Sequence, residues 1–204
     1  MDKLITDPHV SERLIDERRA RGAGKFDEVW EDVYIMAPAP NDEHQEIVTR
    51  FARPLLDVVE DAGVGQVRLG INLASDPDDW ERDYRVPDVA VFLNDSPAVC
   101  HEAFWSGPPD FLVEIVSPWD KTREKLSFYS KIGTRELLVV DRDPWRLELY
   151  RLQGQTLAVV AEIAPGDTAA IESAVLPLRF RLVPGEPRPT IDITGTDLAR
   201  SWTV

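Results

Sequence analysis

The chain has few of the residues from which disulfides and zinc sites are built. Its 204 residues include one cysteine, Cys100, and three histidines. A lone cysteine cannot form an intrachain disulfide, and so few scattered ligands do not make a structural zinc site. The chain also lacks any run near the roughly 20 apolar residues of a membrane span, and its first residues have no apolar signal-peptide core. We therefore expect a cytoplasmic protein without a membrane partner.

Positive charge is scarce as well. The chain carries 23 basic and 37 acidic residues, which gives a net charge of −14. This balance opposes strong non-specific binding to DNA, because nucleic-acid-binding proteins usually present a basic surface. Residues 18–25 and 121–135 are locally basic. A solvated helix face explains either segment at least as well as a binding surface does.

Several common catalytic motifs are missing. The chain has no Gly-x-Ser-x-Gly elbow, no Walker loop, no Gly-x-Gly-x-x-Gly after a strand and no His-Glu-x-x-His pair. These absences argue against an α/β serine hydrolase, a P-loop NTPase, a dinucleotide-dependent enzyme and a zinc protease. We expect no small-molecule cofactor.

Hydrophobic periodicity predicts the order of the elements. Apolar residues at helical spacing indicate a helix from Asn41 to about Ala62, kinked at Pro54. A charged helix at 8–21 and a strand at 28–36 precede it. Short β-branched runs predict strands on both sides of a second helix, in the order strands 66–73, 86–93 and 110–117, helix 119–133, and strands 136–141 and 146–152. This order predicts the α/β class with a mixed sheet.

Two acidic residues stand in strands that should carry none. Asp88 lies in Val-Pro-Asp-Val-Ala-Val and Glu114 lies in Phe-Leu-Val-Glu-Ile-Val. A buried carboxylate is costly unless it is paired, hydrogen-bonded or bound to a metal ion. Carboxylate oxygens suit a hard divalent cation, so both residues are candidate ligands of Mg²⁺ or Mn²⁺. An arginine partner that locks the sheet would explain Glu114 equally well.

Two further polar residues point inward from the predicted helices. Lys125 lies in the middle of the apolar stripe of the second helix. Its amine either follows the protein surface to solvent or meets an anion, such as Glu114 or a phosphate. His44 lies at the centre of the apolar face of the first long helix. It is either a hydrogen-bonded core histidine or a contact of the metal site.

Several segments carry a resemblance to a known family. They include Val-Pro-Asp-Val-Ala-Val-Phe, Pro-Asp-Phe-Leu-Val-Glu-Ile-Val-Ser-Pro and Arg-Glu-Lys-Leu-Ser-Phe-Tyr-Ser-Lys-Ile-Gly-Thr-Arg-Glu-Leu-Leu-Val-Val-Asp. In this order they resemble the Uma-two family of putative restriction endonucleases, which belongs to the PD-(D/E)XK nuclease superfamily. The resemblance implies a restriction-endonuclease-like αβββαβ core at about residues 27–152. Around it we expect an N-terminal helical extension, a C-terminal β appendage at about 153–183 and a peripheral tail at 184–204, all within one domain of residues 1–204.

The resemblance also implies roles for the candidate residues. Asp88 and Glu114 take the positions of the superfamily's metal ligands. The superfamily's lysine normally lies two residues beyond the second acid, where this chain has Val116. In the Uma-two pattern the lysine comes from the following helix, four residues before a tyrosine, and this position is Lys125. Asp120 is a candidate for a further acid that many members carry.

These observations predict a Mg²⁺- or Mn²⁺-dependent endonuclease that hydrolyses DNA. Asp88, Glu114 and Lys125 would be catalytic, with His44 in support. We expect a homodimer, because two related sites most easily cut both strands. The alternative is a catalytically inactive nuclease fold that binds DNA or protein, which the acidic charge favours. A third function, hydrolysis of a small phosphorylated molecule, suits the charge but has no motif in its support.

Overall fold

The structure is a computed structural model of the chain, and it describes residues 7–117, 121–197 and 199–204. Its α-helices are α1 (Pro8–Ala20), α2 (Asp42–Leu55) and α3 (Leu126–Ile132). Its strands, in chain order, are β1 (Glu28–Trp30), β2 (Val33–Ile35), β3 (Gly65–Leu69), β4 (Leu73–Ala74), β5 (Tyr84–Arg85), β6 (Val89–Leu93), β7 (Val99–Cys100), β8 (Trp105–Ser106), β9 (Phe111–Ile115), β10 (Glu136–Arg142), β11 (Trp145–Gln153), β12 (Thr156–Ile163), β13 (Ile171–Glu172), β14 (Leu178–Val183), β15 (Thr190–Gly195) and β16 (Ser201–Thr203). No helix in these ranges is long and apolar enough to cross a membrane. The candidate Asp120 lies outside the described residues.

Six strands form a mixed central sheet in the order β12-β11-β10-β9-β6-β3. β9 and β10 pair in parallel, and the other neighbours pair antiparallel. The parallel pair needs a crossover, which α3 supplies between β9 and β10. The chain therefore passes through α2, β3, β6, β9, α3 and β10, with short strands inserted. This order confirms the predicted α/β class and mixed sheet.

The helix predicted from Asn41 is present as α2, with Asn41 as its N-cap and Pro54 near its end. Asn41 Oδ1 accepts the backbone N–H of His44 at 2.9 Å and begins α2. Pro54 lies inside the last turn, and a π-helical turn follows at Leu56–Glu60. Proline has no N–H to donate to the preceding turn, so the regular hydrogen-bond ladder is interrupted where the helix changes type.

The two faces of the central sheet bury different helices. Along β9, Phe111, Val113 and Ile115 pack on the side of α2, and Leu112 packs on the side of α3. This alternation follows the two-residue period of a strand. Glu114 therefore shares the face of Leu112, beside α3. The α3 face buries an apolar cluster that includes Ala90, Phe92, Leu112, Phe128, Tyr129, Leu137 and Val139.

Three predicted elements differ from the structure. The segment predicted as one strand at 66–73 is divided between β3 of the central sheet and β4 of a second sheet. The segment predicted as one strand at 28–36 is a hairpin of β1 and β2, because Glu31 and Asp32 turn the chain with φ angles of 48° and 70°. The segment predicted as a helix at 119–133 contains a 3₁₀ turn at Thr122–Lys125 before α3. The predicted start of that helix lies outside the described residues. β1 belongs to that second sheet, which has the order β2-β1-β5-β4-β8-β7.

The peripheral tail expected at 184–204 is wrong. β15 and β16 fall within this segment and join β13 and β14 in a four-stranded sheet. Ile191, Ile193 and Val204 are buried in the same apolar cluster as α2 and the central sheet. The Pro- and Gly-rich composition marks only the turn before β15. The appendage expected at 153–183 is also divided, because β12 extends the central sheet whereas β14 lies in the C-terminal one.

Burial of the C-terminal sheet predicts a large loss of stability on truncating one of its side chains. Ile193 is fully buried, and Ile193→Ala should lower the free energy of unfolding by about 2–5 kcal/mol. The measurement is urea unfolding followed by circular dichroism. Val159→Ala is the control, because Val159 is 49% exposed and its truncation should change stability by no more than about 0.5 kcal/mol. Equal, small effects in both variants would show that residues beyond 184 are peripheral after all.

Candidate active site

The register of the central sheet brings the two candidate carboxylates together. β6 and β9 pair antiparallel, with Val89 opposite Val113. Asp88 directly precedes Val89, and Glu114 directly follows Val113, so the two acids flank the same opposed pair of residues. The backbone N–H of Ile115 donates to Asp88 Oδ2 at 2.7 Å, which holds Asp88 against the end of β9.

His44 is a hydrogen-bond partner of Asp88. Its Nε2 lies 3.0 Å from Asp88 Oδ1, and its Nδ1 lies 3.2 Å from Ser117 Oγ. An ionised carboxylate only accepts hydrogen bonds, so the Nε2–H of His44 donates to it. The cap at Asn41 places His44 in the first turn of α2, where its ring is buried. Both interpretations of His44 are therefore met in part, since it is a hydrogen-bonded core histidine whose partner is a candidate metal ligand.

The N-terminus of α2 is fixed by an arginine at the end of β10. Arg142 donates to the carbonyl of Val116 at 3.0 Å and to Ser117 Oγ at 3.2 Å. It also donates to Glu43 of α2 at 2.8 Å. One buried guanidinium thus ties the end of β9 to the helix that carries His44, and their relative position is set by side chains as well as by the sheet.

Glu114 is enclosed by groups from the α3 side. Lys125 Nζ donates to Glu114 Oε1 at 3.2 Å, and the hydroxyl of Tyr129 donates to the same oxygen at 2.5 Å. The contact between Lys125 and Glu114 was expected, and it is present. Burial raises the pKa of Tyr129 well above its usual value, and the charge of Glu114 acts in the same direction. Tyr129 therefore stays protonated and remains a donor.

Glu28 is a third buried carboxylate that sequence reasoning missed. Its Oε1 lies 2.8 Å from Lys125 Nζ and accepts the backbone N–H of Val86 at 2.8 Å. Its Oε2 accepts the indole N–H of Trp30 at 2.6 Å. The signal was present, because Glu28 begins a short β-branched and aromatic run like those that contain the two predicted ligands. Lys125 is thus held between Glu28 of the second sheet and Glu114 of the central sheet.

A cavity of about 640 Å³ unites these groups. One wall comes from the N-terminal segment, residues 18–40, and the other from α2, the central sheet and the segment before α3. The cavity is lined by all four predicted site residues and by Glu28 and Ser117; the four are His44, Asp88, Glu114 and Lys125. The remaining lining is largely apolar, with Phe26, Ile35, Met36, Val48 and Leu69 among its residues.

The locally basic segments are largely engaged in internal ion pairs. Three arginines from them bind buried or partly buried carboxylates: Arg18 with Asp27 at 2.7 Å, Arg123 with Asp141 and Glu148 at 2.8 Å, and Arg135 with Asp110 at 2.9 Å. Arg18, Lys25, Lys121 and Lys125 line the cavity. The basic residues thus organise the fold and the cavity wall, and a purely solvated helix face describes neither segment.

The carboxylates of the cavity can be compared with what a hard divalent cation needs. Among the described residues, no group of three or more His, Cys, Asp or Glu side chains is arranged to hold a metal ion. Mg²⁺ is commonly held by one or two carboxylates, with water and substrate phosphates completing its coordination. Asp88 and Glu114, adjacent in the sheet and open to one cavity, meet this smaller requirement. They are the residues that would hold the ion.

Comparison with known proteins assigns the family. The Uma2 family model, described as "putative restriction endonuclease", matches residues 17–184. The chain belongs to the Uma2 family. The match is longer than the resemblance at 27–152 and takes in β12, β13 and β14, so these strands are part of the Uma2 pattern. No curated protein matches the chain.

A solved structure supports the same fold. It is described as a putative nuclease belonging to DUF820 from Anabaena variabilis ATCC 29413. The two are 23% identical with a TM-score of 0.53, and the similarity covers 65% of this chain and 75% of the other. At this identity the likeness is one of fold. It confirms the restriction-endonuclease-like class for this Uma2 family member.

The shared lysine predicts a strong effect on stability. Lys125→Met leaves Glu28 and Glu114 buried without their common cation, and loss of one partner from a buried ion pair costs about 3–5 kcal/mol. We expect urea unfolding in EDTA at neutral pH to show a loss of this size. Adding Glu28→Gln to Lys125→Met should restore part of the stability, because it removes one of the two carboxylate charges that the lysine balances.

A surface ion pair provides the control for this prediction. Arg82 pairs with Asp32, and both side chains are more than half exposed, at 59% and 58%. Arg82→Met should leave the unfolding midpoint close to that of the wild type, since solvent screens such pairs. If Lys125→Met and Arg82→Met have equal effects, Lys125 does not balance the buried carboxylates.

Proposed function

We propose that this Uma2 protein is a Mg²⁺- or Mn²⁺-dependent endonuclease that hydrolyses DNA phosphodiester bonds. The observation that carries the proposal is the convergence of Asp88 and Glu114 on one cavity, with the amine of Lys125 at Glu114. Two carboxylates and one lysine are the functional groups that the family resemblance implies. Membership of a family described as putative restriction endonucleases supports DNA as the substrate.

Each residue has a chemical role in the proposed reaction. A divalent ion held by Asp88 and Glu114 would polarise the phosphodiester and lower the pKa of a water molecule. Lys125 would orient the attacking water or offset negative charge that develops on the phosphate oxygens. Its position is maintained by ion pairs with Glu114 and Glu28. His44 and Tyr129 act as positioning residues, since each hydrogen-bonds one of the two metal-binding carboxylates.

A second function, a catalytically inactive module that binds DNA or protein, is favoured by one observation. Arg18, Arg123 and Arg135 bind the protein's own carboxylates, so fewer cations are available to attract a DNA duplex, and of the two partners a protein suits such a module better. The proposed homodimer is expected only if the protein is a nuclease, because the second site would cut the second DNA strand. Turnover and metal dependence therefore separate the two functions.

Asp88 provides the most direct test of the nuclease. Asp88→Asn keeps an oxygen for the N–H of Ile115 and removes the charge, whereas Asp88→Ala would leave that buried N–H without its acceptor. We expect wild-type protein to cleave plasmid DNA with Mg²⁺ or Mn²⁺ and not with EDTA. Asp88→Asn should reduce cleavage by several orders of magnitude. Millimolar Mn²⁺ should raise the melting temperature of the wild type and not that of the variant, since only a ligand of the native state stabilises it.

Lys125→Met is the matched variant in the same experiment. It should lose cleavage while its melting temperature still rises with Mn²⁺, because both carboxylates remain. Intact plasmid in every condition, together with melting curves that do not respond to either metal, would favour the inactive module. Metal stabilisation that persists in Asp88→Asn would show that the ion binds elsewhere.

A further inference from the structure

We propose that the cavity receives an unpaired nucleotide, so that the substrate is single-stranded or locally unpaired DNA and not an intact duplex. This inference rests on the proposed nuclease function, because it concerns the same cavity and the same carboxylates. It assigns a substrate class and a base-binding wall to the site. Three observations carry it: the depth of the reactive groups, the chemistry of the cavity wall and the distribution of positive charge.

The reactive groups are largely buried. The side chain of Glu114 is 3% exposed and that of Lys125 is 10% exposed. Asp88 is more open, at 19%. The N-terminal segment lines the same cavity. Double-stranded DNA is stiff over about 50 nm, and its bases are stacked inside the helix. A nucleotide that has left the stack brings its phosphate to such buried groups more readily than a stiff duplex does.

The size and lining of the cavity match one nucleotide. A volume of about 640 Å³ lies in the range of roughly 300–1,000 Å³ that small-molecule sites occupy. The carboxylates and Lys125 line one part of the cavity, and apolar side chains line another, among them Phe26, Met36 and Leu69. A phosphate and a base need these two kinds of surface. Enzymes that do chemistry on a base act on a single strand or extrude the nucleotide into a pocket of this kind, which shows that such a cavity can hold an unstacked nucleotide.

Phe26 is the side chain best placed to contact a base. It is partly exposed and lines the cavity, with the ammonium of Lys25 5.1 Å from its ring centroid. A Cβ atom at Gly70 would lie 2.8 Å from the Phe26 ring, so glycine at that position allows the close approach. Aromatic rings bind single strands through stacking, which every base can provide. A nearby lysine adds attraction for the phosphate of the same nucleotide.

The charge of the protein disfavours a duplex. Proteins that hold duplex DNA neutralise several of its phosphates, often roughly 6–10. Here the chain has a net charge of −14, and two of the cations that line the cavity, Arg18 and Lys125, already bind Asp27, Glu28 and Glu114. Stacking and a metal-bound phosphate would supply affinity for one nucleotide without a basic surface.

The test compares three labelled DNA probes on wild-type protein. They are one single strand, the same strand in a full duplex, and a duplex with a central unpaired loop, each measured by fluorescence anisotropy with Ca²⁺ as the divalent ion. We expect the single strand and the looped duplex to bind at least about tenfold more tightly than the full duplex. Phe26→Ala should weaken single-strand binding by about fivefold or more, the loss expected for one stacked base. Phe26→Tyr should keep most of the affinity for the single strand, because it retains the aromatic ring.

Two further variants keep the result independent of folding defects. Trp80→Ala removes an aromatic residue that stacks on Phe104, away from the residues that line the cavity, and it should leave binding unchanged. Leu69→Gln alters an exposed part of the apolar wall and should weaken binding of the single-stranded probe, as Phe26→Ala does. Equal affinity for the full duplex, or no loss in Phe26→Ala and Leu69→Gln, would overturn the inference. If a fully paired linear duplex is cleaved as fast as the single strand, the nuclease stands without this inference. If no probe binds and no DNA is cleaved, both proposals fail.

Discussion

The ion pair network around Lys125 is the interaction on which the site depends. One ammonium group balances two buried carboxylates that come from different sheets, Glu28 and Glu114. Either carboxylate alone would be costly in this environment, and the lysine would be too. The network therefore joins the N-terminal hairpin to the central sheet at the wall of the cavity. The same residues that hold the fold together here are those available for chemistry on a phosphate.

Basic side chains balance carboxylates elsewhere in the described residues as well. The arginines are largely used to neutralise partly buried carboxylates, as in the pairs of Arg18 with Asp27 and Arg142 with Glu43. These pairs join Arg18 of α1 to Asp27 and place α2 beside the end of β9. An acidic protein of this kind has little cationic surface for a long stretch of duplex. The proposed phosphate site would need few cations, because charges interact more strongly in a poorly hydrated environment.

Much of this arrangement was predictable from the sequence, and the reason is burial. Asp88, Glu114 and Lys125 each interrupt an apolar pattern, so each indicated a specific partner before any contact was known. Helical and strand periods made Glu114 one candidate partner of Lys125, beside a phosphate or a position along the protein surface. Glu28 carried the same kind of signal but stood in a segment predicted as one long strand. The tight turn at Glu31 and Asp32 folds that segment into a hairpin, and Glu28 at the start of this hairpin contacts Lys125.

Other features depended on tertiary contacts that local patterns do not encode. The Pro- and Gly-rich segment after Pro184 looked peripheral, yet Ile191 and Ile193 alternate inward and complete the core. The cavity wall also depends on residues that are far apart in the sequence, because it combines residues 18–40 with the end of the central sheet. The family resemblance supplied part of what local patterns lack, since it indicated a nuclease-like core and a role for Lys125.

Anomalous diffraction from crystals of the wild-type protein soaked in Mn²⁺ would show directly which residues hold the metal ion. We expect an anomalous peak in the cavity, bound by oxygens of both Asp88 and Glu114 at about 2.0–2.6 Å, the range of hard divalent ions. The peak should disappear in Asp88→Asn crystals. A cavity without a peak at saturating Mn²⁺, or an ion bound only by other residues, would contradict the assignment of these two carboxylates as the metal site.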